Sequence, residues 1–144
     1  MLTLAGDWKM PVNLHVSDPA GRSYPGRVET PLQDFSRLAG QFPRTTLILA
    51  HWGGLLPVRD PGVRGLRNLY YDTAASPLLY DATIWQRFSE AVAADQVLFG
   101  SDFPLNLFPR LQPEPDMARL LAEARQAGAT DGVLGGNAAR LLRF

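Results

Sequence analysis

Both histidines of this chain, His15 and His51, stand at the ends of short apolar runs, and so do Asp72 and Asp102. His15 closes Met10-Pro11-Val12-Asn13-Leu14-His15-Val16, and His51 closes Thr45-Thr46-Leu47-Ile48-Leu49-Ala50-His51. Asp72 and Thr73 end the run from Asn68, and Asp102 ends Gln96-Val97-Leu98-Phe99-Gly100-Ser101-Asp102. Imidazole and carboxylate suit a borderline divalent cation such as zinc. Such an ion lowers the pKa of a bound water to about 7 and so yields hydroxide at neutral pH. A histidine beside it can serve as general base or orient a carbonyl. A carboxylate can serve as ligand, as base towards the bound water, or as both.

These residues are far apart in sequence, so the fold must gather them. Each run is short, rich in β-branched, leucine or aromatic residues and bounded by turn formers, which predicts four buried parallel strands. Helix-like stretches lie between them. Thr30-Pro31 opens one as N-cap and first helical residue, with Leu32, Phe35, Leu38 and Ala39 on one face and a stop near Gly40. Asp81 caps the next, whose apolar stripe is Ile84, Trp85, Phe88, Ala91 and Val92. A third spans Glu114 to Ala127, with Met117, Leu120, Leu121 and Ala124 inward and Gly128 ending it, and a short one runs from Asn137 to Leu142. Alternating β and α units imply a parallel sheet with right-handed crossovers. All four polar strand ends then lie on one edge, where α/β folds place their sites.

Other residues carry two readings each. Asp72 either joins the site or caps the following turn through Thr73 and Ser76. Trp52 either lines a substrate pocket or belongs to the core. Arg22, Arg27 and Glu29 sit in the long segment after the first strand, where loops often bind substrate. Gly53-Gly54 and Gly135-Gly136 do not fit the dinucleotide or P-loop patterns and read as tight turns needing positive φ.

The 144 residues are 46% hydrophobic and 19% charged, a globular composition, with a formal net charge of zero and no cysteine. Neutrality offers no basic field for nucleic acid. The missing cysteines exclude disulfides and thiolate zinc sites. No apolar run approaches the ~20 residues of a membrane span, and the N-terminus shows no signal-peptide pattern. The expectation is a cytoplasmic protein that acts on a small molecule, without nucleic-acid or membrane partners.

The motifs together resemble the amidohydrolase-related (amidohydrolase-2) family. Pro11-Val12-Asn13-Leu14-His15-Val16 resembles the fifth barrel strand of that family, Leu47-Ile48-Leu49-Ala50-His51-Trp52-Gly53-Gly54 the sixth, and Leu69-Tyr70-Tyr71-Asp72-Thr73-Ala74-Ala75-Ser76 the seventh. Leu98-Phe99-Gly100-Ser101-Asp102-Phe103-Pro104 is similar to the eighth, and Gly135-Gly136-Asn137-Ala138-Ala139-Arg140-Leu141-Leu142 to the closing helix. The resemblance implies a metal-dependent hydrolase of amide, lactone or ester bonds, with non-oxidative decarboxylation of aromatic or unsaturated acids as the alternative. It implies His15, His51 and Asp102 as metal ligands, zinc first and manganese next, with His51 and Asp102 catalytic. Trp52, Arg27 and Asp72 would line the substrate. The family pattern opens with His-x-His on its first strand, and this chain holds no such pair. A whole (β/α)8 barrel needs ~250 residues. Residues 1–144 are therefore expected to form one partial domain, strands five to eight of a barrel. It would work with a second copy or with a complementing N-terminal half, or remain an inactive α/β module.

Overall fold

A computed structural model describes residues 1–17, 19, 21, 23 and 25–143. A short helix α1 (Leu2–Asp7) leads into strand β1 (Val12–Leu14). Helix α2 (Leu32–Gln41) crosses over to β2 (Leu47–Leu49). After a left-handed turn at 51–55 come α3 (Leu56–Arg59) and β3 (Leu69–Asp72). Helices α4 (Ser76–Leu79) and α5 (Thr83–Ser89) precede β4 (Val97–Leu98). Helix α6 (Met117–Gln126) is next, and a wide turn at 132–136 enters α7 (Asn137–Leu142). The four strands form one parallel sheet in the order β1-β2-β3-β4. The register aligns Val12, Leu47 and Leu69, then Asn13, Ile48 and Tyr70, then Leu14, Leu49, Tyr71 and Val97.

That register explains the core. Alternate residues share a face. Leu47, Leu49, Leu69, Tyr71 and Val97 therefore point together into the helical layer, where Phe35, Ala39, Trp52, Ile84 and Phe88 meet them. Trp52, Phe88 and Tyr71 pack edge-on, with centroids 4.8 Å apart for Trp52–Phe88 and 5.3 Å for Tyr71–Phe88. Each such pair adds about 0.5–1.5 kcal/mol beyond its burial. Asn137 ties the end of the chain to the sheet, its amide donating to the carbonyls of Ala94 and Val97 at 2.7 and 2.8 Å.

Several boundaries depart from the sequence expectation. Pro31, not Thr30, is the N-cap of α2, because its ψ of 121° is extended and the helix begins at Leu32. Helix α6 starts at Met117 rather than Glu114, since the Asp116 carboxylate accepts from the Arg119 N–H and fixes the cap there. Met117 is exposed rather than inward. Gly53 and Gly54 do take positive φ, but Gly135 (φ 179°) is extended and Gly136 has negative φ, so that second pair is no left-handed turn. The N-cap of α5 is Ala82 rather than Asp81, whose carboxylate sits one residue earlier and accepts from the Thr83 N–H at 2.9 Å. Among the described residues no helix is long and apolar enough to cross a membrane.

Candidate active site

The carboxyl edge of the sheet holds the candidate residues. His15 comes directly after β1. His51 lies two residues beyond β2, and strict alternation would send its side chain outward with Leu47 and Leu49. The backbone prevents this. His51, Trp52, Gly53, Gly54 and Leu55 all have φ between 56° and 63°. Left-handed backbone costs L-residues about 1–2 kcal/mol each, so this run holds only where its surroundings offset it. The turn brings the His51 ring to His15, with Nε2 3.2 Å from His15 Nδ1 and ring centroids 5.0 Å apart.

His51 is held from two further sides. Its backbone N–H donates to Asp72 Oδ1 at 3.0 Å, and its Nδ1 faces the Ala74 carbonyl at 3.1 Å. Asp72 Oδ1 also accepts from the Ala74 N–H at 3.0 Å. Burial pushes the Asp72 carboxyl above its ordinary range, opposed by those two N–H donors. Burial also depresses His15, with His51 acting in the same direction while Asp102 and Asp72 pull it back up. Asp102, itself at positive φ (62°), is exposed at the mouth of the site.

His15, His51, Asp102 and Arg27 line one cavity of about 480 Å³. Its other walls are largely apolar, with Ala75, Leu78, Leu79 and Leu105 among them. The Arg27 guanidinium donates to the Gly21 carbonyl at 2.7 Å. Trp52 is placed elsewhere. It is 1% exposed on the helical side, against Trp85 and Phe88, with its indole N–H bonded to Ser76 Oγ at 3.0 Å. Its place is the core, because the left-handed turn directs its side chain away from the cavity. Asp72 caps backbone groups rather than lining the cavity. Arg22 lies outside the described residues. Sequence reasoning missed the Ala74 carbonyl, which orients His51, and the apolar wall supplied by α4. Gly53-Gly54 after His51 was the available signal for the first.

The donor set can be compared with the needs of a divalent ion. Two imidazole nitrogens on one tetrahedral zinc, each about 2.0–2.1 Å from it, stand about 3.3 Å apart. The His15–His51 separation of 3.2 Å is close to that. As they stand the two rings are bonded to each other, so one of the facing nitrogens carries a proton. A catalytic ion takes three protein ligands. Among the described residues no group of three or more histidine, aspartate or glutamate side chains is placed to hold one. The expected triad of His15, His51 and Asp102 is thus not assembled here as a ligand set, because Asp102 stays out at the exposed rim. Two of its members converge.

Parallel βα units that gather polar side chains at the carboxyl edge of one sheet define the class, an α/β fold whose candidate site lies where open sheets and (β/α) barrels alike place theirs. The chain belongs to the amidohydrolase family, whose model matches residues 1–144. Solved structures agree in fold. An amidohydrolase 2 from Bifidobacterium longum subsp. infantis superposes with TM-score 0.69 at 16% identity, over 99% of this chain and 53% of that one. The 5-carboxyvanillate decarboxylase of Sphingomonas paucimobilis gives 0.64 at 20% identity, over 96% and 51%. A dihydroxybenzoic acid decarboxylase from Polaromonas, with bound manganese and the inhibitor 2-nitroresorcinol, gives 0.64 at 15%, again over 96% and 51%. The chain therefore spans about half the length of these structures, and its four strands correspond to half of a TIM barrel. No curated protein matches the chain.

Proposed function

We propose that this chain carries the second half of an amidohydrolase-type site and hydrolyses an amide, lactone or ester bond once a complementary half is supplied. The observation that supports this is the pair of facing nitrogens, His15 Nδ1 and His51 Nε2, 3.2 Å apart in a cavity that Asp102 also lines, in a member of that family. Asp102 accepts the proton of the attacking water. His51, after taking a proton onto Nε2, faces the developing oxyanion. Arg27 suits an anionic group of the substrate, and Leu78, Leu79 and Leu105 suit its hydrocarbon part. Zinc or manganese would need donors beyond those of the described residues, from a second copy or from an N-terminal half-barrel.

A second reading has its own support. Two of the three structures named above are decarboxylases, and a largely apolar cavity lined by Arg27 fits an aromatic acid. In that case the bond between ring carbon and carboxylate breaks, carbon dioxide leaves, and the ring carbon takes up a proton.

The test is turnover, with a complementary N-terminal half-barrel and zinc or manganese added, on a panel of lactones, amides, esters and hydroxybenzoic acids, scored for hydrolysis and for carbon dioxide release. His51→Ala and Asp102→Ala should each lower the rate about 100-fold to 10,000-fold, the range of general acid–base contributions. Unchanged metal-dependent turnover in Asp102→Ala would defeat the assignment. Carbon dioxide without hydrolysis product would select the second reading.

A further inference from the structure

The bond from Asp72 Oδ1 to the Ala74 N–H is by itself an ordinary turn closed by an aspartate. The same oxygen also accepts the His51 N–H from 21 residues away in the chain. Ala74 then offers its carbonyl to His51 Nδ1 at 3.1 Å. A carbonyl only accepts, so the ring nitrogen facing it is the protonated one. In the neutral ring Nε2 is left with the lone pair, and His15 Nδ1, 3.2 Å away, is the donor of that bond. One carboxylate oxygen thus anchors both the strained backbone of His51, at φ 58°, and the residue that decides where its ring proton sits.

We propose that Asp72 is a positioning residue for His51, holding through Ala74 the tautomer with Nδ1 protonated and Nε2 bare as the acceptor that faces His15. The role needs only the Oδ1 acceptor. It rests on the functional reading in taking His51 as the reacting imidazole, but its test does not use turnover.

The experiment is nitrogen-15 histidine NMR on the metal-free chain above pH 8, for wild type, Asp72→Asn and Asp72→Ala. Asparagine keeps the accepting oxygen, so Asp72→Asn should give the wild-type signature, His51 protonated on Nδ1 and bare on Nε2. Asp72→Ala should shift the tautomer ratio about tenfold towards the Nε2-protonated form, the ratio one hydrogen bond is worth. Wild-type His51 protonated on Nε2 would overturn the proposal, and so would a folded Asp72→Ala chain with an unchanged ratio. Should that variant not fold, hydrogen exchange decides. The His51 and Ala74 amides should be protected together in wild type and in Asp72→Asn, and free exchange at either overturns the role. A chain that shows the expected tautomer but gives no turnover when a complementary half-barrel is supplied would sink the functional reading alone.

Discussion

At the scale of single residues, the site brings together groups whose protonation differs between the folded and unfolded chain. Burial and His51 hold the His15 pKa below its unfolded value of 6.5. The unfolded state therefore binds more protons once the pH falls below about 6.5. The stability tied to neutral His15 is full above that pH and is lost as the pH falls towards the lower folded value. Asp72 has the opposite sign. Its raised pKa favours the folded state below the unfolded value of 3.8, and that advantage fades as the pH rises through the folded value. Urea unfolding should therefore show stability dropping between pH 7 and pH 5.5, with His15→Gln removing much of the drop. An equal drop in the variant would assign it to other groups. The candidate residues themselves were legible in the sequence, because two histidines and two aspartates each closed an apolar run. Their roles were less so. Asp72 and Trp52 carried two readings that only three-dimensional contacts could separate: Trp52 went to the core, and Asp72 to the backbone N–H groups of Ala74 and His51. Asp102 ends its run as expected, yet its position relative to the histidines depends on a turn with no counterpart in the alternation pattern.

At the scale of elements, the run from His51 to Leu55 does most to build the site. Period-two alternation predicted strand β2 and its buried leucines, but it is silent on the backbone beyond the last strand residue. The diglycine was the signal, and it gave the sign of φ at two positions while hiding that three neighbours without glycine's freedom, His51, Trp52 and Leu55, share it. Glycine is required at position 53 for a second reason. A Cβ there would stand 2.7 Å from Tyr71 Cδ1 and 3.3 Å from Leu49 Cβ, both in the packed core. Gly53→Ala thus combines left-handed strain of about 1–2 kcal/mol with overpacking of about 1–3 kcal/mol. Together these should destabilise the chain by about 3 kcal/mol and displace the His51 ring from His15. Gly40→Ala is the control. It lies inside α2 at negative φ with nothing within 4 Å of an added Cβ. Replacing glycine in a helix should stabilise by about 0.5–1 kcal/mol. Chemical denaturation of the two variants checks both signs, and similar small effects would mean that the left-handed turn relaxes freely.

At the scale of the whole molecule, the chain presents an open sheet where its structural relatives close a barrel. Among the described residues β1 pairs only with β2 and β4 only with β3, but the outer side of β4 is met by the Asn137 amide, which donates to the Val97 carbonyl, and by the Val133 carbonyl, which accepts from the Phe99 N–H, so the open ladder edge is that of β1. All-parallel sheets are normally covered on both faces, and here the row of Asn13, Ile48 and Tyr70 lies on the face opposite the helical core. Large apolar side chains also reach solvent around the carboxyl edge, Phe103 at 67% exposure among them. Free edges and exposed apolar surface favour pairing with another chain. Our reading of the site as half of a donor set points the same way. The expected outcome is self-association that grows with concentration, seen by sedimentation velocity. The edge can be blocked without touching the existing ladder. The Val12 N–H donates to the Thr46 carbonyl and the Leu14 carbonyl accepts from Ala50, so Asn13 between them turns its backbone to the open side. Proline is tolerated at such an edge because the N–H it removes has no partner within the sheet. Asn13→Pro should weaken association while its circular dichroism stays that of the parent. If the parent chain sediments as a monomer at high concentration, a second copy does not close the sheet. The complementary donors must then come from a different polypeptide segment, and metal binding should appear only when that segment is added.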